Sequence, residues 1–480
     1  MPTRARPVLR VTALVAGVLL LAAGALLGAY AGHGLVSAEV TVDGVPVETV
    51  RPAGAGSGRP AVVVAHGFAG SGRLMRPFAD TLARRGYVVA LPDLAGHAAN
   101  TRPLTGQDEV DRDLAAVIRY VRARPDVDPG RVVLVGHSMG AAAVVRAGSR
   151  DQRIAATVAI SLGDSAALTP PGPRRLLLVV GELEPAGIRS ATESAATGGS
   201  RIVRVPLVEH VGVLYADRTH HETARWLDDA VGNRPERPVI AAKQRVAAGG
   251  LILMGSLLLL VAAAALRPRP RAVRPALPTR EAARWTAGAV ALAPLAGLAG
   301  GALLYLTLRA TVCGYLIGYL GGAGVALAVA AAMRHRGARV RPPSWRGVAA
   351  ASAFAVACLA IVVLPIHVGL TSAVPYGPHR WLVALLTLAT AVLLASAHAL
   401  AGPPWSAGVL AAVLVPVPVA AAVGLAPGFL ALVAPLIAGL LGVHLLVAGL
   451  AWRAGTPWWR TVAAGALMIA WPVATALPIA

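Results

Sequence analysis

The run Val132-Val133-Leu134-Val135-Gly136-His137-Ser138-Met139-Gly140 has the residue types and spacing of an activated hydroxyl. An apolar, β-branched stretch leads into G-x-S-x-G and an alanine-rich stretch follows. That order places the serine on a tight strand-to-helix turn, with its hydroxyl exposed above a sheet. Gly136 and Gly140 leave room for neighbouring backbone, and the N-terminus of the following helix favours the negative charge that develops during attack. A second run, Ala61–Ala65, ends in His66-Gly67-Phe68. Acyl transfer needs donors fixed where a tetrahedral oxyanion forms. The backbone amides of Phe68 and Met139 are the natural pair, one after the early strand and one after the serine. His66 precedes the serine and reads as a histidine that braces its loop, not as the general base.

These residues need a scaffold, and the pattern between residues 33 and 245 supplies one. Short β-branched runs alternate with amphipathic stretches, the signature of a mainly parallel sheet covered by helices. Strands are expected at Ala61–Ala65, Tyr87–Leu91, Val132–Val135, Ala156–Ile160, Leu176–Val180 and Ile202–Leu207, after an opening hairpin at Glu39–Val50 around Asp43-Gly44. Helices are expected at about 75–85, 108–124, 139–149, 187–197 and 219–231. About fifteen residues separate Ile160 from Leu176, so no helical cap is inserted there and the site is expected to be open.

The order strand–His66-Gly67-Phe68, Gly86-Tyr87-Val88-Val89-Ala90-Leu91-Pro92-Asp93, Gly136-His137-Ser138-Met139-Gly140 resembles the α/β-hydrolase superfamily, most closely its dienelactone-hydrolase and polyester-hydrolase-like branch. The resemblance covers roughly residues 37–232. It implies an α/β-hydrolase fold with a triad running Ser, acid, His along the chain. The nucleophile is then Ser138; dienelactone hydrolases proper use Cys, so that particular activity does not carry over. The acid should follow Leu176–Val180, where Gly181-Glu182-Leu183-Glu184-Pro185 offers two carboxylates. The family spacing of glycine, two residues and the acid before proline favours Glu184, with Glu182 as the alternative and Asp164 a weaker one. His210 sits where the family has its base, on a loop after a strand, within reach of the serine. His220 and His221 fall inside the next helix, where a solvated or capping role is expected. Asp93-Leu94-Ala95-Gly96-His97 reads as a rim loop on the oxyanion side. No metal-ligand spacing surrounds it, and neither a metal nor a cofactor is expected.

The chain has 480 residues, of which 56% are apolar, too many for a wholly soluble protein. Residues 33–245 hold 22 of the 23 acidic residues, and Glu281 is the other one. The net charge of +21 is unevenly placed: residues 33–245 carry 26 Lys and Arg against those 22 acids, leaving +17 for the rest. Those basic residues lie in short segments between apolar runs, which argues against nucleic-acid binding and for membrane orientation. Cys313 and Cys358 fall inside apolar runs with no CxxC or Cys/His cluster, so no disulfide or zinc site is expected.

Residues 11–32 are long enough to span a bilayer, and Arg4, Arg6 and Arg10 precede them. They read as an anchor, with a cleaved signal sequence as the competing reading. Apolar runs at about 246–266, 285–308, 310–333, 347–370, 381–400, 407–425, 428–451 and 461–480 give eight further spans, nine in all. Threading the chain puts 16 basic residues on one side and two, Arg309 and Arg380, on the other. The positive-inside rule then sets the N-terminus in the cytoplasm and residues 33–245 outside. His367, His398 and His444 lie in separate spans without an acidic partner; a structural or headgroup-level role is expected, with a proton or substrate relay as the alternative. Trp452, Trp458 and Trp459 read as interfacial anchors.

The domains expected are thus an anchor (1–32), an extracytoplasmic α/β-hydrolase domain (33–245) and an all-α polytopic membrane domain of about eight helices (246–480). The function expected is a multi-pass cell-membrane serine hydrolase cleaving small-molecule or lipid esters, with membrane lipids around it and an oligomeric state the sequence leaves open. The alternatives are an acyltransferase onto an envelope component and a transporter or binding protein with a non-catalytic ectodomain. Residues 37–237 hold every group assigned to chemistry and are expected to fold and work as a soluble monomer.

Overall fold

The computed structural model describes residues 5–54, 56–196, 199–235, 239–266, 280–308, 311–334, 344–402 and 405–480. Arg4, Arg267, Arg269, Arg271, Arg274, Arg309, Arg336, Arg339 and Arg341, on which the orientation argument partly rests, lie outside the described residues. The chain forms two compact units. One comprises Gly24–Gly250, Ile366–Tyr376 and Ala476–Ala480; the other comprises Met1–Ala23, Leu251–Pro365 and Gly377–Thr475. Helix α1 (Ala5–Ala31) opens the chain.

The first unit is built on an eight-stranded sheet of β1 (Leu35–Val42), β2 (Val45–Pro52), β3 (Arg59–Ala65), β4 (Val88–Pro92), β5 (Val127–His137), β6 (Thr157–Ile160), β7 (Leu176–Gly181) and β8 (Ser200–Val205). The spatial order is β1-β2-β4-β3-β5-β6-β7-β8. The β1/β2 and β2/β4 pairs are antiparallel and all others parallel, which is the α/β-hydrolase fold. The opening hairpin turns through Asp43 (φ 49°) and Gly44 (φ 81°), the positive-φ pair that a two-residue turn between twisted strands requires.

Helices α2 (Arg76–Ala83), α3 (Gln107–Arg122), α4 (Met139–Arg150) and α5 (Ala186–Ser194) connect the strands, and α6 (Asp217–Val231) follows β8. In α3 the apolar stripe Val110, Leu114, Val117 and Val121 is buried, Asp108 and Glu109 occupy the first turn, and Arg119 and Arg122 the last, which matches the helix dipole. Strand β3 shows why its sequence is apolar throughout. Val62 and Val64 enter the core with Phe78, Leu82 and Tyr87, whereas Ala61, Val63 and Ala65 enter a second core with Leu114 and Val117. Both faces are covered, so successive residues point into different cores and neither can be polar. Each fully buried valine stabilises the fold by about 1.5–3 kcal/mol.

Topology fixes where a site can form. From β3 the chain goes to β4 on one side and then returns to β5 on the other. The loops leaving the carboxyl ends of β3 and β5 therefore diverge, and the crevice of an open α/β sheet lies at such a switch point. The register Ala65↔Gly136 aligns the two exits.

The second unit is helical. After α6 come α7 (Gln244–Leu266), α8 (Arg280–Thr307), α9 (Thr311–Arg334), α10 (Trp345–Gly369), α11 (His379–Ala401), α12 (Ser406–Leu414), α13 (Pro416–Ala422), α14 (Phe429–Arg453) and α15 (Trp458–Ala476). Among the described residues, seven helices are long and apolar enough to cross a membrane: α1, α7, α8, α9, α10, α11 and α14. Two of the nine apolar runs read from the sequence are not among these seven. The run 407–425 divides into α12 and α13 at Pro416, which lacks the amide hydrogen an uninterrupted helix needs. Helix α15 has 19 residues but begins Trp-Trp-Arg-Thr, which lowers its hydropathy. Within this unit α8 and α9 approach through glycines: a Cβ added to Gly318 would collide with the Gly300 backbone, and one on Gly322 would lie 2.5 Å from the Ala296 carbonyl oxygen. Small residues are what allow helices to close to backbone contact in lipid. The His398 ring stacks on Trp458 at 5.0 Å, and His444 lies against Gly465, where a side chain would collide with its ring.

Candidate active site

The turn from β5 into α4 is shaped by backbone crowding. A Cβ on Gly136 would strike the Gly140 carbonyl, and one on Gly140 would strike the carbonyl of Ala65 and lie 2.6 Å from that of His66. Glycine is thus required at both positions flanking Ser138. The serine itself has φ 54° and ψ −113°, a conformation that non-glycine residues rarely adopt and that persists only when its surroundings fix it. Its amide donates to the Ile160 carbonyl at 2.9 Å, pinning the turn to the end of β6.

Ser138, His210 and Glu184 come together although 26 and 72 positions separate His210 from its two partners. His210 Nε2 lies 3.1 Å from Ser138 Oγ, and His210 Nδ1 lies 2.9 Å from Glu184 Oε2. Glu184 is 1% exposed, so its charge needs full hydrogen bonding. Its Oε1 accepts from Ser161 Oγ at 2.7 Å and from the Gly181 amide at 2.8 Å. Of the two carboxylates weighed on this loop, Glu182 is exposed. A turn separates them: the Glu184 amide donates to the Gly181 carbonyl at 3.3 Å, which folds the Glu184 side chain back under β7. Asp164 instead caps the turn Ser165–Ala167 through the Ala166 amide.

The loop after β3 lies against the serine turn. A Cβ on Gly67 would sit 2.8 Å from His137 Nδ1 and 3.1 Å from Ser138 Cβ, so the Phe68 amide follows a residue in contact with the serine. Met139 opens α4, where the first amides have no acceptor within the helix. His66 braces this loop, as its chain position implied: Nε2 accepts from the Leu94 amide at 3.0 Å, so the 2.8 Å contact of Nδ1 with the Gly67 carbonyl is a donated hydrogen bond. Burial pulls its pKa down to about 4, partly offset by that carbonyl. His97 repeats the arrangement, accepting from the Ala69 amide at 3.2 Å and holding the Ala95 carbonyl at 2.8 Å. Asp93 accepts from the amides of Gly72 (2.8 Å) and Ala99 (3.1 Å), and burial raises it to about 6. Each of these groups ties the β3 loop to the β4 loop.

Two participants escaped the sequence reading. Ser161, at the end of β6 with φ 56°, is the second donor to Glu184 Oε1. His137, the residue before the serine, is buried and its Nε2 lies 2.9 Å from the His210 carbonyl, to which it donates; burial first, and the nearby His210 second, hold it well below the usual histidine range. Their signal was adjacency of strand ends, since β6 lies between β5 and β7. His220 is a correction. In place of a solvated or capping role, it is wholly buried, stacked on Phe78 at 4.0 Å and bonded to Thr81 Oγ1 and the Leu214 carbonyl. Among the described residues, no group of three or more His, Cys, Asp or Glu is arranged to hold a metal ion.

A hydroxyl on a strained strand-to-helix turn, paired with a histidine and a buried carboxylate at the ends of β5, β7 and β8, is the arrangement of α/β-hydrolase sites. Residues 60–188 match the family model described as the alpha/beta hydrolase fold. Over 103 residues the chain is 31% identical to the quorum-quenching protein AidA of Acinetobacter baumannii (strain MDR-ZJ06), covering 21% of this chain and 34% of that protein. The chain therefore spans about a third of the length of that curated relative. Similar solved structures include an esterase of Pyrococcus furiosus (19% identity, 41% of this chain and 93% of that one, TM-score 0.34). Another is an esterase of Pyrobaculum calidifontis (17% identity, 48% and 98%, TM-score 0.35).

Proposed function

We propose that the protein is a membrane-bound serine hydrolase that cleaves carboxylic esters through an acyl-enzyme on Ser138. The observation that carries this reading is the continuous hydrogen-bond chain Ser138–His210–Glu184 on a strained turn. His210 Nε2 takes the Ser138 proton as Oγ bonds to the ester carbonyl carbon, and the charge formed on the carbonyl oxygen is met by the amides of Phe68 and Met139. His210 then protonates the departing alkoxide as the ester C–O bond breaks. Water, deprotonated by the same nitrogen, releases the acid and regenerates the serine. Glu184 holds the imidazole with Nδ1–H facing it and stabilises the imidazolium.

The long apolar helices support a multi-pass membrane location for this chemistry, and lipid-like or envelope-borne esters as substrates. The uneven basic residues support an extracytoplasmic catalytic domain, with residues 1–32 as its anchor and the helices after 245 as the membrane domain.

The test is turnover of short p-nitrophenyl acyl esters by the intact protein in detergent micelles. A small ester needs little from a binding surface and so reports the chemistry alone. Activity that disappears in Ser138→Ala is the expected result. A folded protein with no turnover, or one equally active without the Ser138 hydroxyl, would sink the reading.

A further inference from the structure

The loop that carries Phe68 contains Gly67, Gly70 and Gly72. Such a segment has much conformational freedom to lose and cannot hold an amide in place without outside partners. Several of those partners come from far along the chain. Ser71 is 1% exposed; its Oγ accepts from the Ser372 amide at 3.1 Å and shares a hydrogen bond with Thr371 Oγ1 at 2.8 Å. Two residues on, Arg73 Nε donates to the His367 carbonyl. On the opposite flank, Ile479 sits as a single rung between two strands of loop: its amide donates to the Gly96 carbonyl at 3.0 Å, and its carbonyl accepts from the Leu104 amide at 2.8 Å. A Cβ on Gly96 would lie 2.6 Å from that Ile479 oxygen. Gly96 adjoins His97, whose ring holds the Ala69 amide.

We propose that Thr371, Ser372 and Ile479, from the segments that follow α10 and α15, are positioning residues for the oxyanion-binding loop. The proposal rests on reading the Phe68 amide as an oxyanion donor. The bonds described from these three residues end on Ser71, in the loop that carries Phe68, and on Gly96 and Leu104, in the β4 loop whose His97 holds the Ala69 amide; none of them ends on Ser138. Loosening them therefore acts on stabilisation of the transition state and not on ground-state binding of a small ester. Residues 37–237 include neither segment. Excised alone, they keep the Ser138–His210–Glu184 chain but lose the braces on the loop, so they are a slower enzyme than the intact chain.

The experiment uses the intact protein in detergent micelles with p-nitrophenyl acetate. Three variants are compared: Thr371→Val, which keeps shape and removes the hydroxyl; Thr371→Ser, which restores it; and a chain ending at Ala476. Thr371→Val and the shortened chain should lower kcat on the order of ten-fold, a fraction of the loss expected for a whole oxyanion donor. KM should stay within about two-fold, and Thr371→Ser should recover most of kcat. Rates are taken per active site, counted by burst titration with a fluorophosphonate ester, so unfolded protein does not register as lost kcat. Undiminished kcat per site in both damaged variants, or a loss carried by KM alone, overturns the proposal while the esterase reading stands. A wild-type protein inert to the ester overturns both.

Discussion

Replacing Glu184 by Gln should be far more damaging than its near-isosteric shape implies, and the hydrogen bonds show why. Glu184 Oε1 accepts from two donors, Ser161 Oγ and the Gly181 amide. In the glutamine variant the amide oxygen must take that position, because an NH2 group there would face two donors in a buried site. The NH2 group then falls where Oε2 now meets His210 Nδ1. A donor at that point forces Nδ1 to accept, which moves the ring proton to Nε2, the nitrogen that must take the Ser138 proton. The base is lost through its tautomer while the packing is retained. Loss of this kind is on the order of 10⁴ in kcat, about 5.5 kcal/mol of transition-state stabilisation. Glu182→Gln should leave turnover within a few-fold, since that side chain is exposed. The assay is ester turnover with active sites counted by burst titration. A Glu182→Gln variant that is inactive beside a Glu184→Gln variant within a few-fold of wild type would refute the assignment.

Stability should fall on mild acidification. Burial holds His66 and His220 at about 4 in the folded protein, whereas an unfolded histidine takes up its proton near 6.5. Both pKa values are depressed, so the unfolded state binds the extra proton first. Stability present above about 6.5 is lost as pH falls toward about 4, roughly 2 kcal/mol per histidine between pH 7 and 5. Asp93, raised to about 6 by burial, opposes this by binding a proton in the folded state. The thermal midpoint should therefore drop from pH 7 to pH 5, and His220→Gln should make that drop shallower; an equal drop in both proteins would refute the account. Topology can be read with reporter fusions: alkaline phosphatase joined after Gly232 should be active and joined after Arg341 inactive, and the reverse pattern would invert the orientation.

Much of the catalytic fold was legible because both faces of its central strands are covered. Val62, Val63 and Val64 enter two different cores, and only an unbroken apolar run satisfies that. The serine turn was equally legible, since Gly136 and Gly140 sit where no side chain fits. Family spacing favoured Glu184 over Glu182, but its physical reason lies outside the local pattern: the turn that buries Glu184 is set by the Gly181 carbonyl and by Val208, whose carbonyl accepts from the Leu183 amide at 3.0 Å. His220 was misread although the signal existed, because with Ala224 and Leu227 it lies on the buried stripe of α6. Ser161 and His137 depend on which strand ends are neighbours, a property of the sheet order. The contacts of Thr371 and Ile479 had no sequence signal at all, as they join residues 300 and 383 positions apart, Ser71 with Thr371 and Gly96 with Ile479.

The central claim is that Ser138 is an activated nucleophile in the folded membrane protein. Its most direct test is to expose the intact protein to a fluorophosphonate ester and map the modified peptide by mass spectrometry. The account predicts a single stoichiometric adduct on Ser138, absent in Ser138→Ala and formed far more slowly in His210→Ala. A well-folded protein that takes no label, or takes it on another residue with Ser138 unmodified, would contradict it.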